Sequence, residues 1–184
     1  ISSMKKLNSY ILEALRKAGI NALTMHPHNF ITQTNGRLDY FEISIIRNLL
    51  DQGIMPVLHG DPVIDTKLGC SILSGDAIIP FLAKKLKAEK VIFLTDVDGI
   101  FSEDPKKNPK AKLLKHINNK NLQKVLSSLK SSGREDVTGE MKGKILAIFE
   151  NLRGVPVIIA NGLKPVNLLK ALDQSPTGTM LQFV

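Results

Sequence analysis

The sequence has little cysteine, few aromatic residues and no long apolar run, and each shortage excludes a class of protein. A single cysteine, Cys70, excludes an internal disulfide and is typical of a reducing compartment, so we expect a cytoplasmic location. No run approaches the roughly 18 apolar residues that a membrane-spanning helix needs. Trp is absent, and none of the seven Phe and two Tyr lies in the lysine-rich stretch 106–130. Stacking of nucleic-acid bases on aromatic rings is therefore not expected there.

Charge and composition are those of an ordinary globular chain with a basic surface. The 184 residues include 25 Lys and Arg against 17 Asp and Glu, and 43% of them are hydrophobic. This length suits one domain or a single two-lobed unit. The excess of lysine is interpreted first as a solvated surface, second as attraction of anionic small molecules and last as nucleic-acid binding. We expect neither a nucleic-acid partner nor a membrane.

Several catalytic and metal-binding motifs are also missing. There is no Gly-x-x-x-x-Gly-Lys-Ser/Thr loop, no Gly-x-Gly-x-x-Gly after a strand and no nucleophile elbow. Four histidines with one cysteine have no zinc-ligand spacing, and His26-Pro27-His28 is more typical of a loop than of a metal pair. Asp96-x-Asp98-Gly99 lacks the remaining ligands of a calcium loop. The sequence therefore predicts no metal ligand.

Amphipathic stretches alternate with short apolar runs, which predicts an α/β fold. A soft boundary near Lys90 divides the chain into two lobes, 1–90 and 91–184, of one continuous sheet. Asn35-Gly36 predicts a hairpin turn. Ile45, Ile46, Leu49 and Leu50 are expected to face inward. Helices are predicted at about 7–18, 41–52 and 76–86 and from 141 to near Gly154, and a last helix follows Asn161-Gly162 and ends at about Leu172. Strands are predicted at 20–25, 55–58, 91–94 and 155–160, and a final strand begins at Gly178.

Polar residues cluster where predicted strands end or helices begin. Because ligands bind at the carboxyl ends of strands in open α/β sheets, and helix N-termini attract anions, these turns are candidate phosphate sites. The alternative for each turn is an ordinary cap, since Ser, Thr, Asp and Gly are the usual residues there. The turns are Gly60-Asp61, Ser74-Gly75-Asp76, Thr95-Asp96, Thr138-Gly139 and Asn161-Gly162.

In this order and spacing, four segments resemble the amino acid kinase superfamily and, within it, the isopentenyl phosphate kinases. The resemblance runs the length of the chain but covers about two-thirds to three-quarters of a family member. The family's initial strand, with its Lys and Gly-Gly-Ser turn, and its Gly-Gly-Gly-Ser-Phe-Gly-His loop have no counterpart here. The segments are 56–61 (PVLHGD), 72–76 (ILSGD), 94–101 (LTDVDGIF) followed by 104–106 (DPK), and 136–139 (DVTG) with Met141 and Lys144.

The resemblance implies an open αβα sandwich with a mostly parallel sheet. Residues 1–90 would be the remainder of the phosphoacceptor lobe, and residues 91–184 the nucleotide-binding lobe. The implied reaction is ATP-dependent phosphorylation of isopentenyl phosphate to isopentenyl diphosphate, with Mg²⁺, in a homodimer. The alternatives are fosfomycin, acetylglutamate or uridylate kinase, or a non-catalytic ligand-binding module of the same fold.

The resemblance also implies a role for each matching residue. Lys144 and Asp76 would be catalytic, and Gly60, Asp61 and Gly75 would bind the acceptor substrate. Glu140 stands where the family usually has a second glycine. If its side chain points outward the change is harmless, and if it points inward the carboxylate would lie near the triphosphate and weaken ATP binding. Without the absent segments, we expect this chain alone to be inactive and poorly soluble. The nucleotide side would comprise Thr95, Asp96, Asp98, Gly99, Gly139 and Lys144.

Overall fold

The computed structural model describes residues 2–105, 108–130, 137–173, 175 and 177–184, with the backbone alone at residues 2, 130 and 137–140. The chain divides into two compact units, Ile1–Leu86 and Lys87–Val184. No helix within these described ranges combines the length and the apolar character needed to cross a bilayer.

The described residues of the first unit form three α-helices and six strands, and most of the predicted elements are present. A short 3-10 helix, Pro27–Asn29, follows the first strand. The remaining elements are α1 (Ser2–Lys17), β1 (Ala22–Met25), β2 (Ile31–Thr34), β3 (Arg37–Phe41), α2 (Ile43–Asp51), β4 (Met55–Leu58), β5 (Asp61–Asp65), β6 (Gly69–Leu73) and α3 (Gly75–Leu86).

The described strands of this unit pair in two sheets, whereas the sequence predicted one. β1 pairs with β4 in parallel, and the other four are ordered β3-β2-β5-β6. The predicted turn at Asn35-Gly36 joins β2 to β3, and both residues have the positive φ, 52° and 73°, that a type I′ hairpin turn requires. A second hairpin, β5-β6, was not predicted, because residues 61–73 carry no two-residue turn signal.

The core of the first unit lies between this four-stranded sheet and the helices α2 and α3. Ile46 faces it from α2, but Ile45 and Leu50 are 37% and 45% exposed, so their predicted inward placement is wrong. Adjacent helical residues point about 100° apart, which turns Ile45 away when Ile46 faces inward. The buried residues are Phe30, Ile31, Phe41, Ile46, Val63, Leu73 and Ile78.

In the described part of the second unit there are three helices and one four-stranded sheet, whose strands pair in the order Val91–Thr95, Val157–Asn161, Thr179–Gln182 and His116–Asn118. Every residue of the strand Val157–Asn161 is buried, whereas Leu94 in the strand Val91–Thr95 is 49% exposed. A strand and a helix between residues 116 and 130 were not predicted. The elements are β7 (Val91–Thr95), β8 (His116–Asn118), α4 (Leu122–Lys130), α5 (Val137–Asn151), β9 (Val157–Asn161), α6 (Pro165–Leu172) and β10 (Thr179–Gln182).

Parallel pairing is the commoner kind: β1-β4, β2-β5, β7-β9 and β8-β10 are parallel, against three antiparallel pairs among the described strands. The parallel pair β7-β9 is central to the site because its register places Thr95 opposite Asn161. The loops that follow these two strands therefore begin side by side.

Candidate functional site

The carboxyl ends of β7 and β9 are joined by a set of hydrogen bonds. The Gly162 N–H donates to the Thr95 carbonyl over 2.8 Å, which ties the two strand ends together. Asn161, which is 7% exposed, donates from Nδ2 to Asp98 Oδ1 over 2.9 Å, and its Oδ1 accepts the Leu163 N–H over 2.9 Å. Asn161 thus holds the loops after both strands and supports the polar surface at this edge.

Thr95, Asp98 and Asn161 form what we call the strand-end cluster, and Asp98 is its charged residue. Its Oδ1 also accepts a hydrogen bond from Lys164 Nζ over 2.7 Å. The bonds from Lys164 and Asn161, together with the positive charge of Lys164, hold the pKa of Asp98 below its usual range despite some burial. The side chains of Asp98 and Lys164 are both about half exposed, so solvent screens this ion pair and its main effect is to orient the loop.

Thr95 and Asp96 form the turn that leaves β7. The Thr95 hydroxyl donates to the Val97 carbonyl over 2.9 Å and accepts the Val97 N–H over 3.3 Å. The hydroxyl is therefore used within its own turn, while Asp96 next to it is exposed. The structure thus brings Thr95 and Asp98 together, with Asp96 between them in the chain.

Residue 99 must be a glycine because the backbone here packs closely against Thr179. Its φ is +145°, and a Cβ there would lie 2.7 Å from Thr179 Oγ1 and 2.9 Å from the Thr179 backbone nitrogen. The Ile100 N–H donates to the Thr179 hydroxyl over 2.8 Å. Only glycine fits this close approach to β10, so the requirement for glycine here is explained without a ligand.

Lys144 extends from α5 over the sheet of the same unit. Its Nζ lies 5.4 Å from the ring centroid of Phe93, in the middle of β7. This places a cation on the helix that packs beside the strand ending in Thr95. Gly139 and Glu140 lie in the first turn of α5, but the direction of the Glu140 side chain falls outside the described part of the structure.

In the first unit, Gly60 and Asp61 lie close to the turn that begins α3. A Cβ on Gly60 would approach the Leu73 carbonyl oxygen to 3.3 Å and the Gly75 nitrogen to 4.0 Å, whereas a Cβ on Gly75 would meet open space. Asp61 is 3% exposed and accepts a hydrogen bond from His28 Nδ1. Asp76 is exposed in the first turn of α3. These four predicted residues therefore share one region of the first unit.

The amino acid kinase family model matches residues 2–161. This chain belongs to the amino acid kinase family. It is 41% identical, over 92% of its length, to the isopentenyl phosphate kinase of Methanothermobacter thermautotrophicus and 37% identical, over 98%, to that of Methanocaldococcus jannaschii. The predicted family resemblance is confirmed.

A solved isopentenyl phosphate kinase structure matches 96% of this amino acid kinase chain with a TM-score of 0.77 and 36% identity. The predicted fold class, a mixed α/β fold of the amino acid kinase type, is thereby confirmed. The chain spans 64% and 65% of the length of the two curated relatives and 66% of the solved chain.

Sequence reasoning interpreted His26-Pro27-His28 as a loop and did not connect either histidine of this family member with His59. His26 follows β1 and His59 follows β4, and parallel pairing of these strands brings His26 Nδ1 to 3.2 Å from His59 Nε2. His28 stacks on His26 with ring centroids 5.6 Å apart. The separation of 33 positions between His26 and His59 hides this proximity from a search by spacing, and only the predicted pairing of the two strands could have indicated it.

Proposed function

We propose that this chain supplies the acceptor-binding and nucleotide-binding parts of an ATP-dependent isopentenyl phosphate kinase. The observation that carries the proposal is its similarity to the two named isopentenyl phosphate kinases over more than nine-tenths of its length. The strand-end cluster of Thr95, Asp98 and Asn161 supports it, because nucleotides bind at such edges of α/β sheets.

In this proposal the second unit binds ATP and the first unit binds the phosphoacceptor. Lys144 stabilises the negative charge that spreads over the transferring phosphoryl group. Gly75 presents its backbone N–H at the start of α3 to the acceptor phosphate, where the helix dipole favours an anion. Gly60 and Asp61 line the acceptor side, and Asp76 orients the catalytic lysines.

Mg²⁺ would enter with the nucleotide. It prefers oxygen ligands and usually keeps several waters beside the substrate phosphates. We assign no protein ligand to this ion. When bound, it would supply positive charge to the donor phosphates, in addition to the positive charge of Lys144.

The test is a panel of phosphoacceptors with the purified protein at its full natural length. ATP and Mg²⁺ are supplied with isopentenyl phosphate, fosfomycin, N-acetylglutamate or UMP, and the products are measured by mass spectrometry. We expect isopentenyl diphosphate to form with the highest kcat/KM. A higher value with another acceptor would overturn the substrate assignment, and no product from any acceptor would favour a non-catalytic ligand-binding module.

We propose a cytoplasmic homodimer as the functional form. Cys70 is exposed and makes no disulfide, which suits a reducing compartment. Sedimentation velocity over a range of concentrations measures the state of association, and a monomer throughout would contradict the dimer.

A further inference from the structure

The three histidines and Asp61 form a compact polar cluster in the first unit. His59 and Asp61 are 7% and 3% exposed, whereas His26 is only half-buried, so solvent reaches the cluster from one side. One ligand atom each from His26, His59 and Asp61 lies within 4.8 Å of the other two. These nitrogen and carboxylate groups are close enough together to act on one bound ion.

Hydrogen bonding sets the tautomer of His59. Its Nδ1 lies 2.9 Å from the Gly60 carbonyl oxygen, which can only accept, so Nδ1 carries the proton. The Nε2 lone pair therefore points toward His26. A ring nitrogen that donates to a backbone carbonyl while the other is left unprotonated is the usual arrangement of a metal-binding histidine.

The carboxylate of Asp61 is oriented in a similar way. His28 Nδ1 donates to its Oδ2, which fixes the carboxylate from the exposed side of the cluster. In metal sites, ligand carboxylates are commonly held by such a second hydrogen bond. His28 is thus suited to position Asp61 and need not bind the ion itself.

We propose that His26 Nδ1, His59 Nε2 and Asp61 bind a divalent transition metal ion such as Zn²⁺. Two nitrogens, each about 2.0–2.1 Å from a tetrahedral zinc ion, lie about 3.3–3.4 Å apart, so the 3.2 Å separation already matches a shared ligand set. On binding, the proton of His26 moves from Nδ1 to Nε2, which frees the lone pair. Three protein ligands leave a fourth position for water or an anion.

This site is distinct from that of the Mg²⁺ carried by ATP. Two imidazole ligands favour zinc and its neighbours, whereas magnesium prefers oxygen ligands alone. All four residues lie in the first unit, and their contacts are made within it. Asp61 is shared with the proposed acceptor side, but binding of the ion itself requires no phosphoryl transfer.

The experiment titrates the metal-free full-length protein with Co²⁺, whose visible absorption is intense in four-coordinate sites, and then with Zn²⁺ against a chromophoric chelator. We expect one ion per chain, with Zn²⁺ displacing the Co²⁺ spectrum. His26→Gln and His59→Gln should each weaken zinc binding by at least about 100-fold, and His28→Gln by roughly 10–100-fold, the usual effect of losing a supporting hydrogen bond.

His116→Gln is the matched control, because His116 is an exposed histidine on β8, in the second unit and outside the proposed site. It should bind zinc as the parent chain does. X-ray absorption of the zinc-loaded parent needs no variant and should detect imidazole nitrogens at about 2.0–2.1 Å. Absence of one-to-one binding, a zinc shell without imidazole, or an unchanged affinity in a folded His59→Gln chain would overturn the proposal.

Discussion

At the scale of single residues, α5 contains two lysines that point to different sides of the helix. Lys144 lies over the Phe93 ring, on the face of the helix directed at β7. Lys142 is two positions away, which turns it by about 200° around the helix axis. A pair of identical side chains on opposite sides of one helix allows a role in catalysis to be separated from a general effect of positive charge.

Lys144→Ala should lower kcat by about 10²–10³-fold in the full-length protein, since one preorganised charge contributes several kcal/mol in the transition state. Lys142→Ala should leave kcat unchanged. Steady-state kinetics with ATP and isopentenyl phosphate measures both. Equal losses in the two variants would contradict a specific role for Lys144 and favour general charge attraction.

Substitution of Gly99 tests whether a glycine in the predicted nucleotide-binding segment is needed for stability of the fold. Gly99→Ala should destabilise the protein by about 2–3 kcal/mol, because the new methyl meets Thr179 and φ is +145°. Gly143→Ala is the control, since a Cβ there meets open space on α5 and should stabilise by about 0.5–1 kcal/mol. Urea unfolding measures both, and equal stability of the two variants would contradict the packing argument.

At the scale of elements, a buried carboxylate connects the two hairpins of the first unit. Asp65, at the end of β5, is 1% exposed and accepts backbone N–H groups from Asn35 and Gly36 in the β2-β3 turn. It also accepts those of Lys67 and Leu68 in its own turn and the hydroxyl of Ser71. Burial raises the pKa of Asp65, but these hydrogen bonds outweigh it and hold the pKa far below the usual range.

Asp65→Asn should lower Tm by several degrees at pH 7, because either orientation of the amide turns an NH₂ group toward N–H donors. Asp51→Asn, at the exposed end of α2, is the matched control and should leave Tm unchanged. Thermal unfolding followed by circular dichroism measures both.

The pH dependence gives this prediction a second test. A carboxyl whose folded pKa is lowered stabilises the protein above its unfolded pKa, and that stabilisation is lost as pH falls toward the folded value. The Tm difference between the parent chain and Asp65→Asn should therefore be full at pH 7 and shrink below about pH 4. A difference that stays constant with pH would show that shape, and not the carboxylate charge, is responsible.

At the scale of the whole molecule, the proposed kinase roles are divided between the two units. Asp76 lies in the first unit and Lys144 in the second. Asp76 makes no hydrogen bond or ion pair with any residue that the structure describes, so it is not a capping side chain in the way its position suggested.

Asp76→Asn should abolish turnover while ATP binding and Tm remain close to those of the parent. The loss of an acidic charge in the first turn of α3 costs at most about 1 kcal/mol. Calorimetric titration with a non-hydrolysable ATP analogue, beside kcat and Tm, separates these effects. A large fall in Tm with a proportionate loss of activity would make Asp76 a structural residue only.

Local signals in the sequence were sufficient where neighbouring residues decide the structure. Asn35-Gly36 predicts its hairpin because few other pairs adopt two positive φ angles, and Gly19 and Gly53 mark the ends of α1 and α2 for the same reason. The β5-β6 hairpin escaped prediction because residues 61–73 carry no two-residue turn signal, and its turn is instead held by hydrogen bonds from Lys67 and Leu68 to the side chain of Asp65.

The family, the α/β class and the order of most elements can be predicted from residue order alone, because periodicity, turns and short motifs are properties of neighbouring residues. Which distant side chains meet depends on how the strands pair in the folded chain. Parallel pairing of β1 with β4 joins His26 to His59, and pairing of β7 with β9 sets Asn161 beside Asp98. Such contacts depend on strand register, which is set by the packing of whole sheets and not by the residues on either side of each histidine or asparagine.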